Sequence, residues 1–307
     1  MIFTILGGGF GLYGYLPALI RCGHTVMLPE RYRATLEQRS ELKNFLKSVQ
    51  WRASEDVIRD AADAMVISRR PADQTNWLRQ FAATARATTI ILEKPLGASP
   101  ASALELLDLL AGTGKTYRVA YTFRFLPWAR DLAAAVASNT PDPIDIVWKF
   151  RAHHYLHEKY TWKRRVSEGG GALRFFGIHL IGLLAELGYR EVRESQCAAS
   201  APDECEKWSA RFSSPGLRDC RILVDSNSSE TAFRIGSTAG TSQIFGQGSP
   251  FPGAPRPDGL DNRVEVLESL CKSLSTETVP APSWYAPSIA LWEQAELVSQ
   301  RDYSPRT

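Results

Sequence analysis

Lys94 is the side chain of this sequence best placed for proton transfer. It lies in the run Glu93-Lys94-Pro95, directly after the apolar residues 89–92, which form a short buried-strand pattern. A lysine at the carboxyl end of such a strand can donate to a hydroxyl or carbonyl oxygen while a hydride leaves or reaches the neighbouring carbon. An isolated run of this kind is more often a surface lysine in a proline turn, so its meaning depends on the rest of the chain.

A glycine-rich turn follows the first apolar run of the chain, residues 2–6. A pyrophosphate needs backbone N–H groups directed at it and no side chains in the way, and a helix N-terminus adds a favourable partial charge. The turn therefore predicts dinucleotide binding. A literal G-x-G-x-x-G begins at Gly9 but extends too far into the following helix, so the register stays open. The predicted contacts of this turn with the cofactor are Gly7, Gly8, Gly9, Phe10 and Gly11.

Charged residues after the next two predicted strands bear on which dinucleotide binds. Glu30 lies where a carboxylate would accept from the adenosine ribose hydroxyls, which favours NAD. Arg31 follows at once, and a guanidinium there suits a 2′-phosphate, so both NAD and NADP stay open. Ser68 and Arg69 are placed with the cofactor-binding residues, although a surface salt bridge is an equal reading for Arg69. Glu93 and Lys94 are placed with them as well.

The elements that must position these residues alternate in type through the first part of the chain. Strand patterns at 2–6, 25–28, 64–67 and 89–92 are separated by helical sequence, which predicts parallel pairing through crossovers and a doubly wound sheet. After residue 121, short strand patterns follow one another at 144–151, 207–212, 221–224, 231–235 and 242–245, around one helical segment at 172–187. The prediction is an α/β chain, with a dinucleotide-binding Rossmann domain over 1–121. An α+β domain with a largely antiparallel sheet, which the family resemblance described below implies to be open, follows over 122–307.

Composition excludes several other classes of protein. The 307 residues are 44% hydrophobic and 22% charged, with a net charge of +3, and basic and acidic residues are interleaved rather than clustered. Neither a nucleic-acid partner nor a membrane span is predicted. The five cysteines are scattered without a C-x-x-C pair, and no set completes a metal site around His153, His154 and His157. No secretion signal is recognisable, so we expect a cytoplasmic protein.

Several motifs occur together in one order along the chain. They are the glycine turn, Leu16-Pro17-Ala18-Leu19, Glu93-Lys94-Pro95-Leu96-Gly97, residues 121–125 and Gly169-Gly170-Gly171-Ala172-Leu173 followed by Gly177-Ile178-His179. Together they resemble the glucose–fructose oxidoreductase, inositol dehydrogenase and rhizopine-catabolism family (Gfo/Idh/MocA), best over residues 1–190. The resemblance implies NAD(P)-dependent chemistry on a carbohydrate, polyol or sugar nucleotide. It also implies Lys94 and His179 as the proton-handling residues, and a homo-oligomer, dimer or tetramer.

The sequence departs from that family pattern beside His179. Members commonly have an Asp four residues before this histidine, and here the position is Phe175. A phenyl ring cannot fix the imidazole tautomer or raise its pKa as a carboxylate would. Proton transfer then depends more on Lys94, and the expected role of Phe175 is to stack on an apolar or ring-bearing part of the ligand. The predicted substrate contacts are Arg124, Trp162, Lys163, Phe175 and His179.

The function predicted from these residues is hydride transfer between NAD or NADP and a sugar-like, polyol or sugar-nucleotide substrate, with Lys94 as acid or base. Two alternatives stay open. One is a non-catalytic dinucleotide-binding sensor or assembly protein. This alternative is supported by Phe175, which stands where family members commonly have an acidic residue. The other is a lyase or epimerase that oxidises and re-reduces a single substrate on a cofactor that it uses transiently.

Overall fold

The computed structural model of the chain describes residues 1–138, 140–237, 243–253 and 256–303. The strands within these ranges are β1 (Ile2–Leu6), β2 (Thr25–Pro29), β3 (Val49–Arg52), β4 (Ala64–Ile67), β5 (Thr89–Leu92), β6 (Thr116–Val119), β7 (Ile144–Arg151), β8 (Glu191–Ala199), β9 (Lys207–Ser213), β10 (Cys220–Asp225), β11 (Asn227–Ser237), β12 (Gln243–Gln247) and β13 (Ser299–Tyr303). The α-helices are α1 (Leu16–Arg21), α2 (Arg33–Gln38), α3 (Glu55–Arg59), α4 (Pro71–Phe81), α5 (Pro100–Gly112), α6 (Pro127–Val136), α7 (His153–Leu156), α8 (Ile178–Glu186), α9 (Val264–Thr276) and α10 (Tyr285–Leu297).

The residues pack into two compact units that are not continuous in sequence. The first unit comprises 1–96, 105–122 and 251–282, and the second comprises 97–104, 123–250 and 283–307. The sequence predicts one uninterrupted second domain over 122–307, whereas residues 251–282 pack with the first unit. The reason lies in α9, whose apolar residues Val264, Leu267 and Leu270 are buried and which packs against α1 and β6.

The first unit contains a parallel sheet in the order β3-β2-β1-β4-β5-β6. This confirms the predicted doubly wound arrangement. Strands β1, β4 and β5 are almost continuously apolar and buried, as expected where helices cover both faces of a sheet. The prediction missed β3 and β6 because their sequences, VQWR and TYRV, carry polar residues where a central strand would carry aliphatic ones.

The second unit contains a mixed sheet in the order β12-β11-β7-β10-β9-β8-β13. Most neighbouring strands are antiparallel, as predicted, but β10 pairs with β7 and β13 pairs with β8 in parallel. The predicted strand at 242–245 corresponds to β12, and Ser242 lies outside the described residues. Strands β8 and β13 were not predicted, since their polar residues show no clear alternation.

Both glycine motifs lead into a helix through a π-helical turn. Gly11–Tyr15 precedes α1, and Ala172–Gly177 precedes α8. Such wide turns are rare and often occur at functional sites. Each turn brings a motif glycine against a neighbouring element, as described below. No helix within the described ranges has the length and apolar character needed to cross a membrane.

Candidate active-site elements

The glycine turn after β1 owes two of its glycines to the packing of the first unit. Gly7 has φ +144°, and a Cβ on it would lie 2.0 Å from the Ser68 carbonyl oxygen after β4. A Cβ on Gly11 would lie 2.7 Å from Cγ2 of Ile5. A Cβ on Gly9, in contrast, would meet nothing within 4 Å. The turn therefore holds β1 close to the β4 end while leaving open space at Gly9.

Backbone donors of this turn are available for an anion. The Gly7 N–H donates to the Tyr32 hydroxyl at 3.0 Å, and the Tyr32 ring lies beside Gly8. Within the described parts of the chain, the N–H groups of Gly8 and Gly9 have no hydrogen-bond acceptor. Open space at Gly9, unsatisfied N–H groups and the start of a helix together fit a phosphate group. Sequence reasoning missed Tyr32, because nothing in the motif indicates a tyrosine 25 positions further on.

The charged residues predicted to select the dinucleotide form ion pairs with neighbouring side chains. Glu30 is exposed and accepts two hydrogen bonds from Arg33, at 2.7 and 2.9 Å. Arg31 and Arg69 both pair with Glu55, Arg69 through contacts of 2.7 and 2.8 Å. The guanidinium groups of Arg31 and Arg69 thus share the single carboxylate of Glu55. Arg69 therefore makes a salt bridge, which the sequence analysis gave as the alternative to a contact with the cofactor.

The segment around Lys94 is held in place by neighbours on both sides. The Tyr15 hydroxyl donates to Oε1 of Glu93 at 2.7 Å. The Gln74 amide nitrogen donates to the carbonyl oxygens of Glu93 and Leu96, both at 3.0 Å, so it spans the turn that contains Lys94. The Lys94–Pro95 peptide bond is cis. The Lys94 backbone is thereby fixed by side chains from the π-helical turn before α1 and from α4.

Burial sets the protonation of the Tyr15–Glu93 pair. Desolvation raises the pKa of the Glu93 carboxyl, against the opposing attraction of Lys94 and the hydrogen bond from Tyr15. Desolvation also raises the pKa of Tyr15 well above its usual value, with a further contribution from the Glu93 charge. Tyr15 therefore stays protonated and acts as the donor.

The strand register brings the predicted residues of the first unit to one edge of its sheet. Leu6 pairs with Ile67 and Ile67 with Leu92, so β1, β4 and β5 end level with one another. The residues that follow these ends are Gly7, Ser68 and Glu93. This is the carboxyl edge of a parallel sheet at the point where the strand order reverses, which is where open α/β sheets bind ligands.

In the second unit, glycines allow three segments to approach closely. A Cβ on Gly170 would lie 2.3 Å from the Trp162 carbonyl oxygen, and Gly171 has φ +86°. A Cβ on Gly177 would lie 2.5 Å from the ring of Trp208 on β9. The run Gly169-Gly170-Gly171 therefore seats residues 162–163 at the start of the π-helical turn, and Gly177 seats that turn on the sheet.

His179 is buried on α8 and stacks on the Phe123 ring, with ring centres 4.6 Å apart and an angle of 13°. Phe175 is half-buried and meets the edge of the Trp162 ring at 5.2 Å. The Lys163 ammonium lies over the Phe175 ring at 5.2 Å, a cation–π distance. Trp162, Lys163 and Phe175 are thus brought together as predicted, while the stacking of His179 on Phe123 was not foreseen.

Arg124 binds within the second unit. Its guanidinium contacts the Glu186 carboxylate on α8 through Nε at 2.8 and 2.9 Å and through Nη2 at 2.5 Å. The guanidinium also lies over the Phe125 ring at 4.9 Å. These contacts give Arg124 a structural role that sequence reasoning did not anticipate.

The three neighbouring histidines lie in different surroundings. His153 and His157 have ring centres 4.3 Å apart, whereas His154 is buried beside Tyr155. Burial, reinforced by the positive charges of Lys163 and Arg164, lowers the pKa of His154 to about 4. No cluster of three or more metal-ligating side chains occurs in the part of the chain that the structure describes.

Comparison with known proteins identifies solved structures of the same fold. No family model and no curated protein matches the sequence. The 3-ketoreductase KijD10 from Actinomadura kijaniata, solved with NADP and TDP-benzene, superposes with a TM-score of 0.71 over 99% of both chains at 14% identity.

Two further structures match as well. D-galactose-1-dehydrogenase from Rhizobium etli has a TM-score of 0.73 at 14% identity, over 100% of this chain and 97% of that one. The WlbA dehydrogenase from Bordetella pertussis, solved with NADH and UDP-GlcNAcA, has a TM-score of 0.67 at 15% identity, over 96% and 95%. The structural neighbours are therefore sugar oxidoreductases of the type that the motifs resemble, and at these identities the likeness establishes the fold.

Proposed function

We propose that the chain is an NAD(P)-dependent oxidoreductase that transfers a hydride to or from a sugar or sugar nucleotide, with Lys94 as the acid or base. The observation that carries the proposal is the level ending of β1, β4 and β5, which gathers the glycine turn, Ser68 and the Lys94 segment at one edge of the first sheet. A phosphate-binding turn and a proton-transfer lysine on the same edge suit a dinucleotide-dependent reaction at a C–O bond.

Each residue of this edge has a distinct task in the proposal. The N–H groups of Gly8 and Gly9 bind the pyrophosphate, and Gly7 and Gly11 hold the turn in shape. A bound nicotinamide supplies or accepts the hydride. Lys94 donates a proton to the carbonyl oxygen during reduction and takes it back from the hydroxyl during oxidation. Gln74 and the Tyr15–Glu93 pair act through Lys94, since they fix the peptide segment that carries it.

The second unit supplies the substrate contacts in this proposal. His179 is the second polar contact, and Phe175, Trp162 and Lys163 form a surface of two rings and one ammonium group. Aromatic faces suit the apolar faces of sugar rings, and an ammonium group suits a hydroxyl or the phosphates of a nucleotide sugar. The ligands named for the solved neighbours, TDP-benzene and UDP-GlcNAcA, belong to the nucleotide class and support testing it first.

The proposal is tested with the purified chain, NADH and NADPH. Enhanced nicotinamide fluorescence on mixing is the expected sign of binding, and comparison of the two affinities decides the 2′ group. Sugars, nucleotide sugars and ketones are then screened for a change at the absorbance of the reduced nicotinamide. Binding of neither cofactor would overturn the proposal. Binding with no turnover would favour the sensor, and product formation without net cofactor change would favour transient redox chemistry.

We further propose that the protein acts in the cytoplasm as a homo-oligomer, a dimer or tetramer, on a small-molecule substrate. The support is the second sheet, in which β12 and β13 are the edge strands of the described order, because edge strands can pair with a second copy of the chain. Light scattering coupled to size-exclusion chromatography checks the assembly. A single species at the monomer mass of 34.1 kDa, at micromolar concentration, would contradict it.

A further inference from the structure

Two cysteine sulfurs lie in contact within the second unit. Cys197 is on β8 and Cys205 lies in the connection just before β9, and their Sγ atoms are 2.8 Å apart, with the Cys205 thiol donating to Cys197. Both are free thiols. Their separation is close to the bonding distance of about 2.05 Å for a disulfide, so a movement of less than about 1 Å would join them. The spacing of the cysteines along the sequence did not indicate that these two are in contact.

Both cysteines line a small cavity. Its volume is about 20 Å³, enough for one molecule of the size of water. Its lining includes two arginines and two glutamates in addition to the cysteines. These charged residues are Arg174, Arg301, Glu204 and Glu296.

The two thiols differ in exposure and in acidity. Cys197 is half-buried and lies opposite Arg301 in the parallel pairing of β8 with β13, whereas Cys205 is 2% exposed. The hydrogen bond from Cys205 lowers the pKa of Cys197, with help from Ser299 and the Arg301 charge and against its burial. The pKa of Cys205 is raised by the same hydrogen bond and by burial. Cys197 is therefore the better nucleophile and Cys205 the resolving thiol.

We propose that Cys197 and Cys205 form a redox-active dithiol that a peroxide oxidises reversibly to a disulfide. The Cys197 thiolate attacks one peroxide oxygen and the O–O bond breaks. The departing oxygen takes up a proton and leaves as water, and Cys197 becomes a sulfenic acid. Cys205 then loses its proton and attacks the Cys197 sulfur, so that the S–S bond forms, the S–O bond breaks and a second water leaves. In total, the two thiols lose two electrons and one peroxide is reduced to two waters.

The disulfide would tie β8 to the segment that supports the π-helical turn before α8. The Cys205 carbonyl oxygen accepts from the Ala172 N–H at 2.5 Å, and a Cβ on Gly171 would lie 3.1 Å from the Cys205 Cβ. The neighbouring Glu204 makes a buried ion pair with Arg164, with Nε and Oε1 2.9 Å apart. Cys205 is therefore fixed by its surroundings, and Cys197 makes the short approach.

The test uses the full chain carrying Cys22→Ser, because Cys22 and Cys271 are a second interacting pair whose hydrogen bond lowers the pKa of Cys22 to about 7. The reduced variant is treated with hydrogen peroxide, denatured, alkylated with iodoacetamide and digested. We expect the alkylated thiols to fall from four to two per chain, and one linked peptide pair to contain Cys197 and Cys205. Dithiothreitol should restore all four. Retention of four alkylated thiols after peroxide would overturn the proposal.

Two further variants in the same background assign the roles. Cys205→Ser leaves Cys197 without its resolving partner, so peroxide should produce a sulfenic acid that dimedone traps at Cys197 at least about tenfold more than in the parent variant. Cys197→Ser should abolish both the linked peptide and dimedone labelling at this pair. Dimedone labelling of Cys205 in Cys197→Ser, with none of Cys197 in Cys205→Ser, would refute the assigned order of attack.

Discussion

The two units place their polar residues differently. In the first unit, the residues assigned to chemistry lie just after strand ends that are level with one another, and side chains from neighbouring elements fix the segment that carries Lys94. In the second unit, several polar residues near the motif helix stabilise the unit itself, as Arg124 does with Glu186. Arg124 therefore has a partner within its own unit, and its predicted substrate contact stays a prediction.

The glycines show the same difference. Gly9 in the first unit faces open space, so its lack of a side chain serves something other than the packing of the chain. In the second unit, Gly170 and Gly177 are each in contact with their own fold, through Trp162 and Trp208. Within these motifs, Gly9 is therefore a glycine that packing does not require, whereas Gly170 and Gly177 are glycines that packing does require.

The largest expected effect tests the chemistry assigned to the first unit. Lys94→Met should lower the turnover number by about 10²- to 10⁴-fold, because the proton donor is lost. NAD(P)H binding measured by fluorescence separates this loss from the cofactor contact that is also assigned to Lys94. Lys47→Met, at an exposed lysine, is the matched control and should keep full activity. Turnover of Lys94→Met within a few-fold of the parent would remove Lys94 from the mechanism.

A pair of alanine substitutions separates packing from ligand binding in the glycine turn. Gly7→Ala should lower the free energy of unfolding by about 3 kcal/mol or more, because its Cβ meets the Ser68 carbonyl and its φ is strained. Gly9→Ala should leave stability within about 0.5 kcal/mol but weaken NAD(P)H binding at least about tenfold. Urea denaturation and fluorescence titration measure the two effects. Unchanged cofactor affinity in Gly9→Ala would argue against a phosphate at this turn.

The buried His154 of the second unit should make stability depend on pH. Its pKa is near 6.5 when unfolded and about 4 when folded, so the unfolded chain binds the proton more readily between these values. The free energy of unfolding should therefore fall as the pH drops from 6.5 towards 4, by up to about 3 kcal/mol. His154→Gln should remove this part of the slope in urea denaturation. As a control, the free energies of unfolding of this variant and of the wild type are compared above pH 7.5, where His154 is neutral in both the folded and the unfolded state.

The ion pair of Arg124 gives a smaller effect. Arg124→Gln should lower the free energy of unfolding by about 1 kcal/mol, because the half-buried Glu186 carboxylate loses its partner. We expect KM to change by less than about twofold if Arg124 acts only within the unit. A rise in KM without a loss of stability would instead support the substrate contact predicted from the sequence.

The smallest expected effect is a pH dependence of opposite sign in the first unit. Burial raises the pKa of Glu93, so the folded protein holds this proton more tightly than the unfolded chain. Stability contributed by the protonated carboxyl should therefore decline as the pH rises above about 4.5. Glu93→Gln should flatten the melting temperature against pH in that range. Glu105→Gln is the contrast, because Arg79 lowers the pKa of Glu105 and its contribution is lost as the pH falls.

Much of the first unit could be predicted from sequence because its signals are local. The apolar runs of β1, β4 and β5 and the glycines after β1 need only neighbouring residues to be recognised. The predicted fold class is confirmed, whereas the roles of the site residues stay predictions. Tyr15, Tyr32 and Gln74 escaped notice as supports of the two motifs, because they reach the turns from elsewhere in the chain.

The sequence by itself determined the alternation of the apolar strands of the first unit with helices, the glycine turn and the position of Lys94 after a buried strand, since these depend on residue type and short-range spacing. Only the tertiary structure decided that residues 251–282 join the first unit, that Arg124 pairs with Glu186, and that Cys197 and Cys205 touch. The physical reason is the range of the interactions. Side-chain pairing and helix packing select their partners by distance in space, which spacing along the chain does not encode.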